Sequence, residues 1–404
     1  MNTDQIILLG ADSPIGLSVI RELGKHCVAV HAIGWSRRSV GLHSRYATTK
    51  HLREQSEDAL VSQIDGLASQ YNCPWVMTIG EADILMLQRR QKDFAFAKPI
   101  LPNADAFATA LDKGATFRIA ETVGIRTPMS VSGETLGSIV AATEGMRFPV
   151  VLKWPNPHRI STRLREAGHS LEKYRYIYSR QELERHLHSL RDLGEYPLVQ
   201  EYCSGVGLGQ MIFMHGGQAI QKFQHLRIAE WPPEGGVSAV CESLPPDRHQ
   251  SNMTKSVELL RRLNWQGAAM VEYRYDPSSG ELCLMEINGR FWGSLPLAFH
   301  AGAQFAWMTY QVGTGREPDR TPDYAVGITC RYIIPELKRL ARIVISPRQI
   351  QNRSLKLSRT KEITKFVARY LNLSTRYYVY TNDDPAPFFS DVWGAFSEKV
   401  LRRR

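Results

Sequence analysis

Residues 284–290, with the sequence LMEINGR, decide the fold, because they form an apolar strand with polar side chains at alternate positions. Residues 268–273, AAMVEY, form a second apolar stretch, and the turn sequence DPSSG separates the two, as in a β-hairpin. Side chains two positions apart point to one face of a strand, so Glu286 and Asn288 share a face. Glu272 brings a second carboxylate to the same hairpin.

These acidic side chains have two interpretations. Two carboxylates and an amide oxygen on one face make a hard-oxygen site, which suits Mg²⁺, with Mn²⁺ as the alternative ion. The other interpretation is that each carboxylate forms a structural ion pair with Arg274 or Arg290. Carboxylates in apolar strands are costly without a partner, and either arrangement supplies one. The hairpin alone leaves both interpretations open.

Residues 1–100 have the pattern of a Rossmann-like α/β lobe. A short apolar run is followed by a turn from Gly10 to Gly16 and then by a helical pattern. The glycine spacing does not fit the dinucleotide-binding fingerprint, and no acidic residue closes the second strand, so a structural lobe is favoured over a nicotinamide site. The predicted elements are strands at 6–9, 28–34 and 75–79 and a helix over 57–70.

The pattern changes after residue 100. Lys113 lies early in a predicted helix, Lys153 ends an apolar strand, and the sequence QEY at 200–202 precedes a glycine-rich bend. The predicted elements are helices over 104–124 and 179–193, and strands at 148–153, 174–178, 198–202, 267–275 and 281–287.

The order and spacing of these features resemble the ATP-grasp family over about residues 100–315, and the Rossmann-like lobe is similar to the family's N-terminal lobe. The resemblance implies an α/β fold in which a small α+β lobe and a large antiparallel-sheet lobe enclose ATP. The expected domains are an N-terminal lobe at 1–100, a linker helix and small lobe at 101–200, a large lobe with the metal site at 201–325, and a basic C-terminal extension at 326–404.

The resemblance also implies roles for single residues. Lys113 and Lys153 would neutralise the α- and β-phosphates of ATP, and Lys153 is one of two expected catalytic residues. Arg290, the other, would stabilise charge on the transferred phosphoryl group and on the acyl phosphate. The hinge that binds adenine through its backbone would be Gln200, Glu201 and Tyr202. The ligands of a Mg²⁺ ion bridging the β- and γ-phosphates would be Glu272, Glu286 and Asn288.

Two features depart from the family pattern. The loop after Lys153, residues 154–168, holds one glycine and three arginines where the family has a glycine-rich phosphate loop. Either its side chains grip phosphate in place of backbone N–H groups, or it binds the substrate. The segment 205–210 lacks the acidic residue that many relatives use for the ribose, which leaves Gln210 as the candidate.

Substrate contacts are expected from Arg227 and Glu230, between the hinge and the hairpin, and from Ser294 after it. Arg227 is the candidate anchor for a carboxylate, because its planar guanidinium binds one bidentately. The alternative is a surface arginine paired with Glu230, and both interpretations stay open. The sequence GGVS at 235–238 suits a segment that closes over an acceptor, and Ser294 would border the same cavity.

The formal charge of +10 belongs to the C-terminal segment. The chain has 50 Lys and Arg against 40 Asp and Glu, and residues 331–404 hold 16 of the former and 6 of the latter. A basic amphipathic helix is predicted there, with a charged side and an apolar side. Its residues are Lys361, Lys365 and Arg369 on the first side and Ile363, Phe366, Val367, Tyr370 and Leu371 on the second.

Three interpretations of this basic segment compete. The first is a packed appendage whose charged face is solvated. The second is attraction to an anionic membrane surface through residues 331–404. Nucleic-acid binding ranks last, because no recognised fold or aromatic-interleaved motif accompanies the charge.

Composition is that of a globular protein, with 43% hydrophobic and 22% charged residues. No apolar run is long enough to span a membrane, and Met1 is not followed by a basic signal-peptide region. The six scattered cysteines are expected to be reduced. A cytoplasmic location is expected, peripheral to the membrane if the basic segment binds lipid.

The resemblance implies an ATP-dependent ligase that activates a carboxylate as an acyl phosphate and joins it to an amine. Its partners would be small-molecule carboxylate and amine substrates, with an amino acid or an acidic sugar as the candidates. The alternative is a nucleotide-binding scaffold that docks on membrane or nucleic acid through its basic segment without ligation.

Overall fold

The computed structural model describes residues 4–154, 157–172, 174–319 and 323–401, without the side chains of 157–159 and 396–401. An N-terminal lobe is built on a five-stranded parallel sheet in the order β3-β2-β1-β4-β5. This confirms the Rossmann-like prediction. Its elements are β1 Gln5–Leu9, α1 Pro14–Lys25, β2 Ala29–Gly34, β3 Ala47–Leu52, α2 Glu57–Gln70, β4 Trp75–Thr78, α3 Glu81–Arg89 and β5 Lys98–Pro99.

The turn between β1 and α1 requires glycine for packing. A Cβ atom on Gly16 would lie 2.1 Å from the carbonyl oxygen of Gly10, so no other residue fits there without backbone movement. Ser13 caps the helix by accepting a hydrogen bond from the Gly16 N–H.

The segment after this lobe forms two helices, α4 Ala104–Leu111 and α5 Lys113–Thr122, so the single helix predicted over 104–124 is wrong. Asp112 separates them with an extended backbone (φ −82°, ψ 101°). Its carboxylate accepts a hydrogen bond of 3.0 Å from the Ala115 N–H and thereby caps α5. Lys113 is consequently the first residue of a helix.

The small lobe is a four-stranded antiparallel sheet in the order β6-β9-β7-β8, packed on helices. Ile139, Leu183 and Leu187 are fully buried against it and form its core. Its elements are β6 Ser130–Val131, α6 Leu136–Ala142, β7 Val150–Lys153, α7 Pro157–Glu166, β8 Arg175–Ile177, α8 Arg180–Ser189 and β9 Leu198–Glu201.

The large lobe contains the predicted hairpin at its sheet edge. Five neighbouring strands are antiparallel in the order β14-β13-β10-β11-β12. The predicted glycine bend is confined to Gly205 (φ +103°), because a strand begins at Val206. The elements are β10 Val206–His215, β11 Gln218–Trp231, β12 Val237–Ser243, α9 Gln250–Arg262, β13 Gly267–Tyr275, β14 Leu282–Asn288, α10 Leu295–Ala301, α11 Phe305–Gly313 and β15 Thr329–Arg331.

The C-terminal segment is packed into the body of the protein. It comprises α12 Ile333–Ile345, α13 Arg359–Ala368, β16 Thr375–Tyr377 and α14 Ala386–Leu401. Strand β15 pairs with β12, and β16 pairs with β15, so the large sheet has seven strands. A buried ion pair of 2.9 Å joins Arg21 to Asp384 and attaches the segment to the N-terminal lobe. No described helix combines the length and apolarity needed to cross a membrane.

Candidate functional site

The two carboxylates of the hairpin face each other. Glu272 on β13 is the register partner of Glu286 on β14, and Asn288 lies two residues further along the same face. The Asn288 side-chain amide lies 3.4 Å from an oxygen of each carboxylate. The predicted three-residue cluster is therefore brought together by the pairing of β13 with β14.

Lys113 contacts this cluster from the linker helices. Its ammonium lies 2.9 Å from Glu286 Oε2, although 173 positions separate the two residues. Burial would raise the pKa of the Glu286 carboxyl, but Lys113, with support from Lys153 and Arg227, lowers it to about 2. Glu286 is therefore ionised at neutral pH.

Lys153 approaches the cluster from the small lobe, where it ends β7. Burial, together with repulsion from Lys113, lowers the pKa of its ammonium to about 8, although Glu286 opposes the shift. The ammonium donates a hydrogen bond of 2.7 Å to Gln200 Oε1, and Gln200 donates one of 3.0 Å to Ser130 Oγ. These contacts hold a partly desolvated lysine at the edge of the site.

The predicted hinge lies at the end of β9, where its side chains are already engaged. The Glu201 carboxylate pairs with Arg126 at 2.5 Å and accepts a hydrogen bond of 3.1 Å from the Met129 N–H. The Tyr202 hydroxyl accepts one of 3.0 Å from the Asn352 amide in the C-terminal segment. To bind adenine, this strand would have to use its backbone groups.

Arg227 is ion-paired, but it is not at the surface. It lies 2.6 Å from Glu272 and 3.2 Å from Glu230, and its side chain is 12% exposed. Arg274 pairs with the other oxygen of Glu230 at 2.9 Å. Burial would lower the pKa of Arg227 and raise that of Glu230, but the opposite charges reverse both effects. The predicted pair with Glu230 is thus part of a buried network that reaches the Glu272–Glu286–Asn288 cluster.

The sequence offered Arg274 only as an ion-pair partner of a hairpin carboxylate, and the structure pairs it instead with Glu230, within the network around the site. Arg274 lies two positions after Glu272 on β13, and strand alternation puts both on one face. That alternation was the available signal.

Two glycines of β10 lie beneath the site, and one of them, Gly207, leaves space that this network occupies. Gly207 is the register partner of Arg274, and Gly209 that of Glu272, so both lie under the polar face. A Cβ on Gly207 would lie 2.6 Å from Arg227 Cδ and 3.2 Å from Glu230 Oε1. Gly207 therefore makes room for the charged side chains, whereas a Cβ on Gly209 would meet Met211, His225 and Met270.

Two predicted residues, Arg290 and Ser294, have their side chains elsewhere. Arg290 pairs with Glu81 of α3 at 3.7 Å and donates a hydrogen bond of 3.0 Å to the Phe291 carbonyl. Ser294 is buried and contacts His225 at 3.2 Å. Among the described residues, neither has a recorded contact with Lys113, Lys153 or the carboxylates of the hairpin.

Gln210 is placed on the opposite face of the sheet from the cluster. Its register partner is Val271, the neighbour of Glu272, so its side chain points towards α9. There it accepts hydrogen bonds from Ser256 Oγ at 2.7 Å and from Asn252 at 3.1 Å. A fully buried amide with these partners cannot reach a ligand on the other face, which removes it as the ribose contact.

A cavity of about 300 Å³ lies beside Arg290, between the N-terminal lobe and the large sheet. Its walls are mostly apolar. They include Met77, Ile84, Phe213, Ala268 and Val312.

The segment 154–168 is largely helical, as α7, and it is not the loop that the sequence predicted. Arg163 pairs with Glu195 at 2.8 Å and donates a hydrogen bond to the Leu193 carbonyl, so it faces the small lobe. Residues 155–156 and the Arg159 side chain lie outside the described residues.

The glycine segment after β11 is held by neighbouring side chains. The Tyr174 hydroxyl donates a hydrogen bond of 3.0 Å to the Gly235 carbonyl, and Tyr176 donates one of 3.1 Å to that of Glu234. Arg227 lies 3.4 Å from the Gly236 carbonyl. These bonds join the small lobe to the large lobe across the site.

The side-chain oxygens of Glu272, Glu286 and Asn288 suit a hard divalent cation as ligands. Within the described part of the chain, no group of three or more His, Cys, Asp and Glu side chains is arranged for a metal. Two facing carboxylates and an amide match the few protein oxygens that Mg²⁺ takes when substrate phosphates and water complete its shell. The fold and these side chains define an α/β protein with three lobes, in which two carboxylates, an amide and two lysines come together in one cleft.

Comparisons with known proteins agree with that class. A family model described as the ATP-binding domain of the carbamoyl-phosphate synthase L chain matches residues 237–320. A search of curated proteins found no match.

Solved structures match over most of the chain at low sequence identity. The biotin carboxylase–β,γ-ATP complex from Campylobacter jejuni has a TM-score of 0.62 at 12% identity, covering 81% of this chain and 74% of that one. The biotin carboxylase domain of Hydrogenobacter thermophilus 2-oxoglutarate carboxylase, with MgADP, ADP and bicarbonate, scores 0.60 at 14%, covering 81% and 73%. The ADP complex of N5-carboxyaminoimidazole ribonucleotide synthetase scores 0.57 at 13%, covering 81% and 80%. The chain has the ATP-grasp fold, and the resemblance to that superfamily is confirmed.

Proposed function

We propose that this protein is an ATP-dependent ligase that activates a carboxylate as an acyl phosphate and transfers the acyl group to an amine. The observation that carries the proposal is the convergence of two lysines from different lobes on the Glu272–Glu286–Asn288 cluster. Such a cleft suits a nucleotide triphosphate with its divalent cation.

The cluster, through its cation, and the two lysines would together neutralise the charge of the nucleotide. Glu272, Glu286 and Asn288 would hold Mg²⁺, which when bound neutralises charge on the β- and γ-phosphates. Lys113, now paired with Glu286, would turn to the phosphates when the cation takes its place on that carboxylate. Lys153, partly desolvated beside Gln200, would contact phosphate from the other lobe.

The Arg227 network would position the cluster. Arg227 contacts Glu272 directly, and Arg274 fixes Glu230 on its other side. Because both guanidinium groups are already paired, they suit orientation of the metal ligands better than direct capture of a substrate carboxylate. Arg290 lines the adjacent cavity, and it would contact a substrate there once its long contact with Glu81 is broken.

The reaction would proceed in two displacements. A substrate carboxylate oxygen attacks the γ-phosphorus, the bond to the β–γ bridging oxygen breaks, and ADP leaves. The amine nitrogen then attacks the acyl carbon, phosphate leaves, and the amine loses a proton as the amide forms. The protein would contribute position and charge to both steps.

The test is a screen for ADP and phosphate release with pairs of acids and amines, in which amino acids and uronic acids are the first candidates. Release that requires both substrates supports ligation. Lys153→Ala and Glu286→Ala should abolish it, whereas near-normal turnover in both variants would refute the assignment.

A second candidate is a nucleotide-binding scaffold without ligase activity. It is favoured by α7, which occupies the segment expected to form the phosphate loop, with Arg163 turned to Glu195. MgATP binding by calorimetry, without phosphate release for any acid and amine pair, would support this second function.

A further inference from the structure

Helix α13 is attached to the protein through its charged residues. The Glu362 carboxylate is buried in an ion pair with Arg339, and Arg369 pairs with Glu336 at 2.8 Å. Charged side chains of a surface helix usually face water and its apolar side chains face the core. In α13, by contrast, Glu362 faces the protein, and the apolar Ile363 and Val367 face water.

A buried arginine fixes this orientation. Arg331 of β15 pairs with Glu336 at 2.7 Å, and its guanidinium lies over the rings of Phe366 and Tyr370 at 4.9 and 4.1 Å. Rolling the helix to bury its apolar side would break these ion pairs and leave charges buried without partners, which is strongly unfavourable. The buried ion pairs therefore keep the apolar side of the helix exposed.

The apolar side chains of α13 and the turn after it form one surface, which we call the α13 apolar surface. Ile363 and Val367 are four positions apart on the helix and so share one face, and Tyr370, Leu371 and Leu373 follow in the turn after its end. A grouped apolar surface of this kind marks an interaction site. Its members, with their exposed fractions, are Ile363 (43%), Val367 (55%), Tyr370 (53%), Leu371 (81%) and Leu373 (94%).

The surroundings of this surface are cationic. Residues 346–382 contain eight Lys and Arg and a single acidic residue, Glu362, which is buried and paired. Arg376 donates a hydrogen bond of 3.0 Å to the Leu373 carbonyl, beside the most exposed apolar side chain. Lys361 and Lys365 are exposed on the helix. Apolar side chains with Lys361, Lys365 and Arg376 near them in the chain complement a surface with an apolar interior and anionic headgroups.

We propose that the α13 apolar surface inserts into the interfacial layer of an anionic lipid bilayer, with the flanking cations on the lipid phosphates. Short helices that lie in the membrane plane use this combination of apolar and cationic side chains. The surface differs from the apolar face predicted by the sequence, because Phe366 is half-buried and Leu373 is added. The proposal does not depend on the ligase reaction.

The experiment is co-sedimentation of the full chain with vesicles of phosphatidylcholine alone and with roughly 30% phosphatidylserine. Binding is expected only to the anionic vesicles, and it should weaken as salt is raised. The double variant Leu371→Glu with Leu373→Glu should lower binding roughly tenfold or more, since two carboxylates replace inserted apolar groups. Because both side chains are exposed, its circular dichroism and Tm should equal those of the wild type.

The matched control is Leu52→Glu with Phe96→Glu, which changes two exposed apolar residues of the N-terminal lobe and should leave vesicle binding unchanged. The proposal is overturned if the wild type binds neither vesicle, or if the α13 double variant binds as well as the wild type. It is also overturned if the wild type is a dimer that the double variant converts to a monomer, because the surface is then a subunit interface.

Discussion

Lys113 and Glu286 form an ion pair of 2.9 Å between the first residue of α5 and the edge strand of the large sheet. Because Asp112 ends one helix and caps the next, the lysine projects from a helix start towards the carboxylates. The ion pair links the linker helices to the Glu272–Glu286–Asn288 cluster. A bound nucleotide and cation would separate its two partners.

Replacing Glu286 with glutamine should weaken MgATP binding. A neutral amide keeps the shape of the side chain but cannot balance a divalent cation, so the affinity for MgATP should fall roughly tenfold or more. Calorimetry with ATP, once in Mg²⁺ and once in a chelator, measures the part of the binding free energy that depends on the metal. Glu281→Gln, at the exposed turn of the same hairpin, is the control and should bind like the wild type. Equal loss in chelator and in Mg²⁺ would argue against a metal ligand.

The affinity for ATP should fall as pH rises through the pKa of Lys153, which is about 8. Above that pH the free protein loses the charge that would attract phosphate, so Kd should increase roughly tenfold per pH unit if only the ammonium form binds. Lys153→Arg keeps its charge in this range and should move the decline to higher pH. An unchanged Kd between about pH 7 and about pH 10 would remove Lys153 from the phosphate contacts.

Replacing Gly207 with alanine should disturb the Arg227 network. The new Cβ would lie 2.6 Å from Arg227 Cδ, so the arginine must move from Glu272 and Glu230, at a cost of about 1–3 kcal/mol in the free energy of unfolding. Gly66→Ala is the control, because no atom lies near its Cβ in α2, and it should gain about 0.5–1 kcal/mol. Urea denaturation measures both. Equal stability of the Gly207 variant and the wild type would show that the strand tolerates a Cβ there.

Local periodicity explains how much of the fold was predictable. The hairpin strands alternate polar and apolar residues, and the prediction of a strand over 267–275 is confirmed at both ends. The helix over 57–70 is also confirmed, since Ser56 caps it and its apolar residues recur with helical spacing. The break at Asp112 was missed because its effect depends on one capping side chain inside an otherwise helical pattern.

Strand register explains what was not predictable in the site. The convergence of Glu272 with Glu286 follows from one short hairpin, whereas the position of Gln210 depends on how β10 pairs with β13, far along the chain. A shift of one residue would have placed Gln210 on the polar face. The exposed apolar side of α13 could not be predicted either, because it depends on buried partners such as Arg331 and Arg339 outside the helix.

The attachment of the C-terminal segment gives the last prediction. Asp384 accepts hydrogen bonds from Arg21 Nε at 2.9 Å, from Ser44 Oγ at 2.7 Å and from the Arg45 N–H at 2.9 Å, and both charged side chains are about 1% exposed. Asp384→Ala would leave the Arg21 guanidinium buried without its carboxylate. The free energy of unfolding should fall by about 3–5 kcal/mol.

Asp383→Ala is a control one residue away, since Asp383 pairs with Lys25 at 3.2 Å while the two side chains are 41% and 45% exposed. An exposed ion pair contributes little, so this variant should lose about 1 kcal/mol or less. Urea denaturation of both variants, followed by circular dichroism, gives the comparison. A similar small loss in the two variants would mean that the buried Arg21–Asp384 pair contributes no more to the attachment of the segment than a surface contact does.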